Sequence, residues 1–60
     1  MSTVYNPEAD TIARIERLEI DARDMRRRLQ TAKSDEDRRV LQRLLKETEE
    51  NIEILRSRLP

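Results

Sequence analysis

The chain has no cysteine, histidine, glycine, tryptophan or phenylalanine, and its two prolines stand near the ends, at Pro7 and Pro60. Each absence removes a class of chemistry. Without cysteine there is no disulfide and no thiolate metal site. Without histidine the commonest metal ligand and the usual general base are gone. Without glycine there is no Gly-rich phosphate loop. No Ser/His or Cys/His pairing is available, and the inward Glu-x-x-His pattern of di-iron bundles cannot be written. The residue types that catalysis draws on are missing, so we expect neither an enzyme nor a metal or cofactor site. No run approaches the length of a membrane span, and Met1 to Tyr5 lack a basic segment followed by an apolar one. No membrane partner is therefore expected, and the expected location is cytoplasmic.

What remains is charge and periodicity. Charged residues make up 43% of the chain and Tyr5 is its single aromatic, a composition that fits a solvent-laced helical protein rather than a β fold. Sixty residues form one small domain, too short to bury a comfortable core alone. Small domains are commonly held by disulfides, metals or partner subunits. With the first two excluded, oligomerisation is the expectation.

Residues 1–6 read as a short flexible lead-in. Asn6-Pro7-Glu8 is a helix start: Asn is a favoured N-cap, Pro suits the first helical position, and Glu8 and Asp10 complement the positive helix end. Ile12, Ile15, Leu18, Ala22, Met25, Leu29 and Ala32 then recur at intervals of three and four, which places them on one stripe of a helix over about 7–32. The stretch Lys33 to Arg39 has no apolar residue, and Ser34 followed by Asp37 has the outline of a capping box. The turn is predicted at about 33–35. A second stripe, Leu41, Leu44, Leu45, Thr48, Ile52, Leu55 and Leu59, predicts a helix over about 35–59.

One continuous helix is the competing arrangement. Written as heptads, the first helix has Ile15, Ala22 and Leu29 at a, and the second has Leu45, Ile52 and Leu59 at a. The two registers differ by two residues, which is neither a stutter nor a stammer. Carried forward, the first register would put Glu36, Arg43 and Glu50 on the seam. The chain is therefore expected to reverse into an all-α antiparallel hairpin. The two helices match in length, so neither is expected to overhang. Two helices cannot enclose a core, and the simplest closure is a homodimeric four-helix bundle.

The charges sum to zero but are not evenly spread. Residues 23–46, the turn half, carry nine basic and four acidic residues, and the rest carries four basic and nine acidic. Hairpins packed with loops at opposite ends set a net +5 half against a net −5 half. Loops at opposite ends is therefore the predicted arrangement. Locally, Glu19–Arg23, Asp24–Arg28, Asp35–Arg39, Arg43–Glu47 and Lys46–Glu50 are opposite charges at helical spacing.

Three groups are candidates for function. The dimer core is expected to use both apolar stripes, Ala32 apart. Ile20, Val40 and Ile54 lie off or at the edge of those stripes and are candidates for a partner surface. Arg23, Arg26, Arg27 and Arg28, with Arg38 and Arg39 across the turn, are candidate phosphate contacts, because a guanidinium matches phosphate oxygens in pairs. The neutral chain and the lack of stacking aromatics weigh against nucleic acid. The function expected first is a non-enzymatic interaction or regulatory module that binds another protein as a homodimer. The alternative is an RNA- or DNA-binding regulator using the Arg-rich half.

Overall fold

The computed structural model describes residues 6–60. The expected lead-in, Asn6 apart, lies outside the described residues. Two helices follow, α1 (Pro7–Gln30) and α2 (Asp35–Ser57), folded against each other as an antiparallel hairpin. Both start where the sequence places them. The Asn6 side-chain oxygen accepts from the N–H groups of Glu8 (3.0 Å) and Ala9 (3.3 Å), with Pro7 next in the chain. The Ser34 hydroxyl oxygen accepts from the Asp37 N–H at 3.1 Å. Each side chain satisfies donors that the first helical turn leaves without a backbone partner.

Both helices stop about two residues short of their predicted ends. At the end of α1 the N–H groups of Thr31 and Ala32 donate to the carbonyls of Arg28 and Leu29, three residues back, at 3.2 and 3.4 Å. At the end of α2 Arg58 and Leu59 do the same to Leu55 and Arg56, each at 3.1 Å. The last turn tightens in both cases, as helix ends commonly do. Pro60 further disfavours helical backbone at Leu59. Ala32, placed on the apolar stripe by its spacing, thus belongs to the connection. That connection reverses the chain without any described residue at positive φ, using extended backbone at Ser34 (φ −132°, ψ 154°) instead.

Cross-helix contacts set the register. Glu19 meets Arg56, Met25 meets Thr48 and Arg26 meets Glu49. By this register Gln30 comes level with about Leu44, and Leu59 with about Ile15. The helices are closely matched, at 24 and 23 residues, yet they slide past each other. The first turns of α2 project beyond the end of α1 by roughly 13 Å, and α1 projects at the open end by roughly 15 Å. The expectation that neither helix overhangs is therefore corrected. The connection spans this offset by climbing along α2: Ala32 is half-buried, and its carbonyl accepts from the Arg38 guanidinium at 3.5 Å. The slide explains why two residues of the predicted stripes and edges stay open. Ile12 is 45% and Val40 46% exposed, because the neighbouring helix has ended at their level.

Ile15, Ala22 and Ile52 form the buried centre, with Thr48 buried beside them. Leu18, Leu45, Leu55 and Leu59 pack partly against it. The Thr48 hydroxyl donates to the Met25 sulfur at 3.9 Å, so a polar residue on the apolar stripe finds a weak partner inside the seam. The backbone envelope measures 53 × 23 × 12 Å. Twelve ångströms is the thickness of one layer of helices.

Removal of the second cap tests the local account. Ser34→Ala is expected to cost about 1 kcal/mol, which lowers the thermal midpoint of a domain this size by roughly 4–8 °C. Circular dichroism melts at matched concentration measure it, and an unchanged midpoint would show that the hydroxyl contributes nothing to the start of α2.

Candidate interaction surface

The single layer presents two unlike broad faces. One carries the ion pairs that tie the helices together: Arg26 to Glu49 at 2.8 Å and Arg56 to Glu19 at 2.9 Å. These pairs rim a shallow recess floored by Ala22 and Ile52, with Arg23 and Glu53 at its edge. The small side chain of Ala22, only 1% exposed, lies in the seam beneath them. Glu19 is thus drawn across the hairpin to Arg56 rather than to Arg23, its neighbour at helical spacing. Asp35 bonds Arg38 at 2.9 Å, one residue nearer than the expected Arg39. The expected Asp24–Arg28 pair forms, at 3.0 Å, and Arg14 pairs with Asp10 at 3.2 Å.

The opposite face is largely apolar along its length. At the open end Leu18, Ile54 and Leu55 lie among Arg14, Arg17 and Arg58. In the middle Met25, Leu41 and Leu44 lie with Asp21, Asp24 and Arg28. At the turn Val40 and Ala32 continue the strip beside Lys33 and Asp37. Leu18, Met25, Leu41 and Leu55 are half-buried by the hairpin, while Val40, Leu44 and Ile54 are exposed. Val40 and Ile54, two of the three candidate partner-surface residues, join this face. Ile20 does not: it is 58% exposed and belongs to neither group.

The arginine candidates are divided. Arg23 and Arg26 line the ion-pair face, and Arg28 lies on the apolar one. Arg26, Arg28 and Arg38 each hold a carboxylate. Arg23, Arg27 and Arg39 are exposed and make no ion pair among the described residues. Among the same residues no three acidic side chains converge as metal ligands would, and no helix is long and apolar enough to cross a membrane.

Helical spacing does not reveal the two cross-helix ion pairs. Their four members lie at the polar edges of the stripes, where a charge at helical spacing offers a competing partner. Both pairs are about half exposed, with side-chain values of 55% and 51% for Arg26 and Glu49. Exposed pairs contribute about 0.2–1 kcal/mol. Glu49→Gln is accordingly expected to shift the urea midpoint only slightly, and less at high salt. A loss above about 2 kcal/mol would mean that the pair is far better shielded than its exposure indicates.

Compared with known proteins, the chain matches no family model, no curated protein and no solved structure.

Proposed function

We propose that the chain is a self-associating, non-enzymatic interaction or regulatory module. Two hairpins, with loops at opposite ends, close a four-helix bundle, and the bundle acts by binding another protein. One observation carries this reading: the hairpin is a single helical layer 12 Å thick, and among the described residues its only buried apolar ones are Ile15, Ala22 and Ile52. Folded domains are built from at least two packed layers around a core. A second hairpin supplies the missing layer from the same sequence. The acidic open half and basic turn half further favour a partner lying in the reverse direction.

Folding coupled to association makes stability depend on concentration. The thermal midpoint is therefore expected to rise steadily as protein concentration is raised a hundredfold. A sharp cooperative melt with a midpoint independent of concentration would contradict self-association.

RNA or DNA binding through the turn half is the second reading, favoured by the carboxylate-free guanidiniums of Arg23, Arg27 and Arg39. It predicts salt-sensitive retardation of a nucleic-acid probe that is lost on replacing Arg23, Arg27 and Arg39 together. No retardation at low salt would remove it.

A further inference from the structure

We propose that the apolar face centred on Met25 is the surface on which the second copy docks, leaving the ion-pair face turned outward. This rests on the self-association proposed above and adds which face is used and how it is aligned.

The reason is a pattern of bands that matches itself only when reversed. Met25 is level with Thr48 and marks the centre of the face. Leu18 stands seven residues before Met25, and Leu41 seven before Thr48. Because the helices run in opposite directions, these leucines lie about 10 Å to either side of the centre. Arg14 stands eleven before Met25, and Asp37 eleven before Thr48. A second copy turned end for end about this centre puts Leu18 of one copy and Leu41 of the other in one layer, diagonally across the bundle. On this face it also brings the arginines of the open end, Arg14, Arg17 and Arg58, towards Asp37 in the first turn of α2, which lines the turn end with Arg28 and Lys33. Nearer the centre, Asp21 and Asp24 come towards Arg28 of the other copy. A copy laid in the same direction would instead set three arginines on three arginines, a like-charge arrangement that works against that packing.

The ion-pair face offers no such match. Its charges already hold one another across the seam, and burying them would separate carboxylates and guanidiniums from water with no new partner. The apolar face has the reverse character: its large side chains Val40, Leu44 and Ile54 are 43–51% exposed and gain from cover.

The alignment makes a specific demand on distances. With loops at opposite ends, α1 of one copy lies along α1 of the other, and Met25 falls close to its own twin. Leu44 falls close to Asn51 of the other copy. The chain has no native cysteine, so engineered thiols report without background. Met25→Cys is expected to oxidise to a covalent dimer within minutes in mild oxidant. Arg23→Cys, on the ion-pair face, is expected to stay reduced. A mixture of Leu44→Cys and Asn51→Cys is expected to give the mixed disulfide over either homodimer, which guards against Met25→Cys failing to fold. Linkage through Arg23→Cys, with Met25→Cys and the Leu44/Asn51 mixture unlinked, would overturn this face while a dimeric mass for the unaltered chain left self-association standing. A monomeric mass would remove both.

Discussion

Ile52→Ala is expected to abolish most of the folded structure. Among the described residues Ile52 is one of only three buried apolar ones, at 7% exposure, and sits at the centre of the seam opposite Ala22. Because its neighbour is already small, the cavity cannot be filled from across the seam. Truncation of a buried isoleucine costs about 2–5 kcal/mol. A domain this small has a total stability of about 3–9 kcal/mol. The helical circular dichroism signal is therefore expected to fall sharply at 25 °C, or its thermal midpoint by at least 15 °C, on the order given by the entropy of a short domain. Ile20→Ala is the matched control. It makes the same chemical change on the same hairpin at a residue 58% exposed, and surface changes usually stay within about 0.5 kcal/mol. Equal losses from the two would show that burial in this seam is not what holds the fold.

Leu44→Glu is expected to weaken the proposed dimer, so that the helices form only at higher protein concentration than in the unaltered chain. In one hairpin Leu44 is 43% exposed, so an added carboxylate there has access to water and costs little. Under a second copy the same carboxylate is buried without a partner, the expensive case. The dissociation constant is expected to rise about a hundredfold or more, which corresponds to roughly 2.7 kcal/mol. Sedimentation velocity reads the shift directly. Because Leu44 is half free in the isolated hairpin, an unchanged dimer would mean that this face remains in water.

The local parts of the fold were legible in the sequence. Asn6 and Ser34 announce helix starts because capping chemistry acts within three residues. The two stripes announce helices because periodicity fixes which side of a helix is apolar. The slide of the helices was not legible, since periodicity says nothing about position along the axis. The four residues 31–34 set that position by lying along α2, and only the three-dimensional path shows it. The helix ends were overrun for a related reason: with no glycine in the chain the usual stop signal was missing, and the apolar spacing of Ala32 and Leu59 runs on past the last helical turn. Of the candidate site, Val40 and Ile54 were singled out by their angle on α2, which holds whatever the register. The six arginines formed a cluster in the sequence but not on the molecule, because Arg26 and Arg28 point about 160° apart on one helix, given its 100° per residue. Glu19 and Arg56 came together across the hairpin, a contact that needs the register to be seen.

We propose that one hairpin is half of a folded unit. Sedimentation equilibrium of the unaltered chain at tens of micromolar is then expected to give a single helical species with twice the chain mass of 7.2 kDa. A fully helical, cooperatively folding species of 7.2 kDa would contradict it.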